Sequence, residues 1–228
     1  MGRTTAQALV LCAVATVFSP IPADDPSEPV ERLLRCSDIV VLASVSEKLK
    51  YGIVAGPGGM VHTRFRLKVE RYYVGSGPEA VEVLIPGGLL KNPDGTETFM
   101  SIAYGGGAWG QSLMPGERFL AFLQVFAPAY RFVSIRNSQA MVTTDESSGR
   151  ETVALTFGTV ELLGTSAREK YEKLKSEIQN LSGEQRTIAA NLLQYVLVEQ
   201  VPVPDLPSRL EKTVAAIGGP KPPTTTCH

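Results

Sequence analysis

Two histidines, three cysteines and scattered carboxylates are the residues of this chain that could do chemistry. A Ser-His-Asp or Cys-His centre needs a histidine to take the proton from its nucleophile. Within the predicted folded part only His62 is available, because His228 is the last residue. His62 sits in the run Val61-His62-Thr63-Arg64-Phe65-Arg66-Leu67-Lys68-Val69-Glu70, where Val61, Thr63, Phe65, Leu67 and Val69 alternate with His62 and charged residues. That period of two is a strand with one face in the core and one in solvent, and it predicts an exposed His62. A metal centre needs several His, Cys or carboxylate ligands converging on one point. Two histidines, with cysteines as far apart as Cys36 and Cys227, do not supply one. No catalytic residue, metal ligand or cofactor site is therefore predicted.

Two segments point to binding instead. Gly105-Gly106-Gly107-Ala108-Trp109-Gly110 carries the sole tryptophan. No Lys-Ser/Thr follows, as a phosphate-binding loop requires, and Ser112 lacks the flanking glycines of a nucleophile elbow. Trp109 is a candidate anchor for a partner, since tryptophan concentrates binding energy at interfaces; the plainer alternative is a lid folded back on the domain. Arg64, Arg66, Lys68 and Arg71 form a basic stripe, three of them on one strand face, suited to an anionic ligand or an acidic partner. Its plainer alternative is a solvated sheet face balanced by Glu70, Glu79 and Glu82 on neighbouring strands. Arg64, Arg66, Lys68 and Trp109 are the candidate ligand-binding residues.

The elements that must position these residues follow from hydrophobic periodicity. Residues 30–35 read as a short helix with Val30, Leu33 and Leu34 on one face. Ile39-Val40-Val41-Leu42-Ala43-Ser44-Val45 is a strand apolar on both faces at its start, hence central. After the strand of His62, Val81, Val83 and Ile85 alternate up to Pro86-Gly87-Gly88. Pro115-Gly116-Glu117 turns into residues 118–126, apolar on both faces. Residues 98–104, 130–135, 139–144 and 153–163 add further short strands. Many short strands between Gly/Pro turns predict a barrel or sandwich.

After Gly164 the period becomes helical. Ser166 with Glu169 has the capping-box pattern ahead of the stripe Tyr171, Leu174, Ile178 and Leu181. Ser182 with Gln185 repeats that pattern before a stripe from Ile188 to Leu197, which Pro202 and Pro204 end. Leu210, Val214 and Ile217 predict a last helix closed by Gly218. Residues 219–228 read as a Pro/Thr tail without a packing signal.

The first segment predicts export. Arg3 precedes an apolar stretch at 6–18, and Ser19-Pro20-Ile21-Pro22-Ala23 then leads into Asp24 and Asp25. This is the pattern of a signal peptide cut after Ala23, and it is too short to span a bilayer stably. Neither Cys12, preceded by Leu11, nor Gly2, followed by Ala6, fits a lipid-anchor motif. The expected organisation is a signal peptide over 1–23, a short helix plus β domain over 24–164, a helical segment over 165–218 and a tail over 219–228. The net charge of −1 gives no field for nucleic acid. In the exported chain Cys36 and Cys227 remain. Nothing in residues 219–226 directs Cys227 to Cys36, so Cys36 is expected as a reduced core residue.

The run Val30-Glu31-Arg32-Leu33-Leu34-Arg35-Cys36-Ser37-Asp38-Ile39-Val40-Val41-Leu42-Ala43-Ser44-Val45 resembles the start of a widespread class of exported bacterial proteins of unknown function. There a short helix leads into a "DIVVxGxV" strand, whose glycine is Ala43 here. A long strand ending in aromatics and glycine follows, matched by Tyr72, Tyr73 and Gly75. A "V-x-V-x-x-P-G-G" strand is matched by Val81, Val83, Pro86, Gly87 and Gly88, and a "P-G-E-x-x-L-x-F-L" strand by Pro115, Gly116, Glu117, Leu120, Phe122 and Leu123. This order, over residues 30–160, is similar to the OB-like barrel of netrin-type modules and tissue inhibitors of metalloproteinases. The resemblance implies a mainly β protein: an OB-like Greek-key barrel followed by a C-terminal helical segment. Those inhibitors chelate zinc through an N-terminal cysteine. Cys36 lies well inside the chain, so that activity does not carry over. The expected function is an exported, periplasmic or secreted, non-enzymatic binding or interaction module for an unknown protein or anionic ligand. The alternatives are an exported hydrolase using His62, or a helical segment docking into a larger assembly.

Overall fold

The computed structural model describes residues 29–55, 59–100, 113–134, 139–193 and 197–219. The predicted signal peptide, Trp109 and its glycines, Ser112 and Cys227 lie outside the described residues. Within them, residues 30–154 with 200–219 form one compact unit and residues 155–199 a second.

The first unit is built on a closed five-stranded barrel, and the protein is mainly β with a C-terminal helix. Helix α1 (Val30–Cys36) leads into β1 (Ile39–Lys48). A short β2 (Ile53–Ala55) pairs with the start of the 15-residue β3 (Met60–Val74), and β4 (Ala80–Pro86) follows. Strand β5 (Gly88–Lys91) and strand β6 (Glu97–Met100) make a separate hairpin. Strand β7 (Arg118–Phe126) and strand β8 (Ala129–Phe132) complete the barrel, joined through Ala127 and Pro128. Pairing runs β1-β3-β4-β8-β7 and back to β1, with β4 and β8 parallel. Counting only barrel strands, the order is 1-2-3-5-4-1, the Greek-key closure of an OB-like barrel. Register shifts in the β1–β3 pair, between Val40 and Val41 among others, let the two strands bend around the barrel.

The barrel interior holds the residues that the period of two assigns to it. Phe65 and Leu67 of β3, Val83 of β4, and Phe119, Ala121 and Leu123 of β7 are all completely buried. The opposite face of β7 is buried as well, through Leu120 and Phe122. Helix α1 packs against β7 and against α4 (Leu206–Ala216), which explains why the run 118–126 is apolar on both sides. Strand β7 also pairs with β9 (Gln139–Thr144), which pairs with β10 (Glu151–Thr156).

The motif residues are fasteners of this barrel. Asp38 N–H donates to the Leu123 carbonyl at 2.8 Å. Gly75 has φ +71° and lies against the backbone of Asp38 and Ile39, where a Cβ would meet Asp38 O at 2.8 Å. Gly88 has φ +133°, and a Cβ there would sit 2.1 Å from Thr63 Oγ1. Only glycine allows both the conformation and the approach. Glu117 closes its own turn by accepting the Met114 N–H at 2.7 Å, while the Val45 N–H donates to the Glu117 carbonyl at 2.9 Å.

In the second unit, α2 (Thr165–Gln179) and α3 (Gly183–Leu193) pack through Ile178, Leu181 and Ala189, with Leu193 against them. Three expectations change in the structure. The Ser166–Glu169 capping box does not form. The helix starts two residues earlier, with Gly164 as N-cap and no side-chain cap, and the Gly164 N–H donates to Glu199 Oε2 at 2.9 Å. Of the stripe expected to run to Leu197 as one helix, Gly183–Leu193 is helical, whereas residues 198–202 form β11 (Val198–Pro202), rich in the valines that favour strand. Cys36 is buried as expected but disulfide-bonded, not reduced. Its helix α1 packs on α4, the helix that leads into the C-terminal tail, a proximity no local pattern reveals.

Candidate functional site

The outer face of β3 presents Arg64, Arg66 and Lys68 together, as alternation requires. Each of the two arginines has an acidic neighbour. Arg66 lies 3.2 Å from Glu47 on β1 and 3.6 Å from Glu82 on β4, its partner in register. Arg64 reaches Glu82 only at 3.8 Å, and its Nε is buried without a hydrogen-bond acceptor among the described residues. Lys68 is exposed and makes no ion pair among the described residues. Arg71, the fourth member of the predicted stripe, lies over the Tyr73 ring, 5.6 Å from its centroid. The balancing acids are thus Glu82 and Glu47. Glu70 serves elsewhere: it takes a bidentate pair from Arg118 on β7, at 2.9 and 2.7 Å, while the other side of that guanidinium meets Glu151 on β10. These hydrogen bonds hold the Glu70 carboxyl below the usual range and raise Arg118 further.

His62 corrects the sequence expectation. It points outward as predicted but is only 4% exposed. Its Nδ1–H donates to the Met60 carbonyl at 2.9 Å, and its ring centroid lies 5.6 Å from that of Phe126 at the end of β7. Burial lowers its pKa, against the Met60 hydrogen bond, and the nearby charge of Arg131 lowers it further. The imidazole is therefore neutral at pH 7. No Ser, Cys or carboxylate forms a hydrogen bond to it among the described residues. The alternation pattern missed the burial because it reports which way a side chain points, not what other strands lay over it.

Arg131 joins this candidate face, and no local signal revealed it. The register places Arg64 of β3, Leu84 of β4, Arg131 of β8 and Gln124 of β7 in one row across four strands. Leu84 is 1% exposed between the two arginines. Arg131 stacks over Phe126 at 5.3 Å, and its Nε and Nη2 both donate to Gln124 Oε1, at 3.3 and 3.1 Å. Trp109, the fourth predicted site residue, lies outside the described residues.

Among the described residues no group of three or more His, Cys, Asp or Glu could hold a metal ion, and no helix is long and apolar enough to cross a membrane. Comparison with family models, curated proteins and solved structures returns no match.

Proposed function

We propose that this protein is an exported, non-enzymatic binding module that takes an anionic ligand or an acidic protein surface across the outer face of β3 and β4. Export is read from the apolar stretch at 6–18 and the Ala23-Asp24 junction. The binding face follows from the barrel: β3 and β4 are its second and third strands, and ligands of OB-like barrels lie across that sheet face and the adjoining loops. The observation that carries the reading is the charge on this face. Arg64, Arg66 and Lys68 stand in line on β3, with Glu82 and Glu47 as the acids within 4 Å of them. A cationic face steers anions toward it. The likeness to netrin-type modules rests on strand order and motif residues, and is consistent with an interaction module.

Two measurements test this. The extracytoplasmic protein should have Asp24 as its first residue by mass spectrometry; an intact 1–23 segment counts against export. Amide chemical-shift mapping with a sulfated polysaccharide should perturb Arg64, Arg66 and Lys68 above all. Perturbation spread evenly over the surface, or none, counts against the face.

A further inference from the structure

Every methionine among the described residues lies at the surface. Met60 is 40% exposed, Met100 47%, Met114 55% and Met141 38%, and the chain's remaining methionine is Met1. Methionine is ordinarily one of the residues most often buried. Here the buried apolar side chains are valine, leucine, isoleucine, phenylalanine and alanine, together with Cys36. That cysteine is disulfide-bonded. Among the described residues, oxidisable sulfur is therefore confined to four exposed thioethers.

The main chain under each of them is held without help from the thioether. Met60 opens β3 opposite Ala55, and its carbonyl accepts from His62 Nδ1. Met100 ends β6 opposite Gly88, and Met141 stands in β9 opposite Phe119. The Met114 N–H donates to Glu117 Oε2. None of the four side chains belongs to a core cluster. Oxidation turns an apolar thioether into a polar sulfoxide, which disrupts a core because the new oxygen needs a hydrogen-bond donor there. At these four positions water supplies the donor and no core packing is lost.

We propose that Met60, Met100, Met114 and Met141 are oxidation sites, at which this protein takes oxygen from peroxide and stays folded. The thioether sulfur gives an electron pair to one peroxide oxygen. The S–O bond forms and the O–O bond breaks. The proton on the transferred oxygen passes to the leaving hydroxide, giving water. Sulfur is oxidised by two electrons and the peroxide is reduced. Exposure leaves either sulfoxide epimer open to the reductase that restores the thioether.

The test treats the folded full chain with hydrogen peroxide, reads each methionine by peptide mass spectrometry, and repeats the reaction in urea. All four should oxidise in the folded protein at rates within about fivefold of those in urea, since susceptibility follows exposure. The unfolding midpoint of the fully oxidised protein should equal that of the untreated one. Leu67→Met supplies an internal reference. It places a thioether in the barrel interior, where Leu67 is completely buried, and a swap of similar volume is well tolerated. Position 67 should stay unoxidised in the folded variant after the four surface sites are complete, and should react in urea. Greater protection at any of the four sites overturns the proposal for this set. A fall in the midpoint on oxidation overturns it as well. Oxidation at position 67 as fast as at the surface, in a folded variant, shows that exposure does not select the sites and also overturns it. Should Leu67→Met fail to fold, the urea comparison and the midpoint of the natural chain still decide.

Discussion

Asp38 Oδ2 accepts the Val125 N–H at 2.6 Å, 87 residues along the chain, while Asp38's own N–H donates to Leu123 at 2.8 Å. The residue just before β1 thereby holds the far end of β7 by two hydrogen bonds along the edge that β7 turns to β1. The Asp in the Asp-Ile-Val-Val motif is a barrel clasp. Asp38→Ala should cost about 1–2 kcal/mol, the worth of a hydrogen bond to a charged acceptor at a partly exposed site, whereas Asp38→Asn, which keeps an acceptor, should cost less. Urea unfolding midpoints of the two variants decide; equal losses would show that the clasp is made by the backbone alone.

Phe122 is 1% exposed on the side of β7 opposite the barrel interior. Phe122→Ala should lower stability by about 3–5 kcal/mol, the usual range for a core aromatic. A change below about 1 kcal/mol would mean that the site collapses around the loss.

Arg118 joins β7 to β3 and β10 through Glu70 and Glu151. All three side chains are about a third exposed, so solvent screens the pairs. A double-mutant cycle of Arg118→Met with Glu70→Gln should give a coupling of about 0.5–1 kcal/mol, falling with salt. Because Glu70 is held below its ordinary pKa, this contribution is present above about pH 4.5 and is lost as pH falls through the folded value.

His62 has the opposite kind of pH dependence from a salt-bridged histidine. Its pKa in the folded protein lies below the unfolded value of about 6.5, chiefly through burial. Below pH 6.5 the unfolded chain binds the proton first, so stability falls as pH drops from 6.5 toward the folded value and is flat above it. His62→Gln should flatten that part of the stability profile. An unchanged profile would show that His62 titrates freely.

Cys36 is disulfide-bonded, and the chain's other cysteines are Cys12 and Cys227. Under the proposed cleavage after Ala23, Cys227 is the intrachain partner that remains. Non-reducing peptide mapping of the protein should then recover a Cys36–Cys227 peptide. Closing so long a loop is worth about 5 kcal/mol in the chain-entropy account, so reduction should lower the unfolding temperature. A Cys36–Cys12 peptide would show that the leader is retained.

The sequence by itself determined the parts of this protein that depend on neighbours in the chain. Alternation over Val61, Phe65 and Leu67 named the inner face of β3, and the two-sided run 118–126 named the central strand, because strand period and burial are read locally. The site was legible by half: Arg64, Arg66 and Lys68 share a face by spacing alone. Tertiary structure decided the rest. The parallel β4–β8 pairing sets Arg131 two strands from Arg64 though 67 positions separate them. The packing of Phe126 buries a histidine that its own strand turns outward. The contact of α1 with α4 brings the helix that ends in Cys36 against the helix that leads into the C-terminal tail. Each is a meeting of segments distant in sequence. Periodicity fixes the direction of a side chain, and only the closure of the barrel fixes what it meets there.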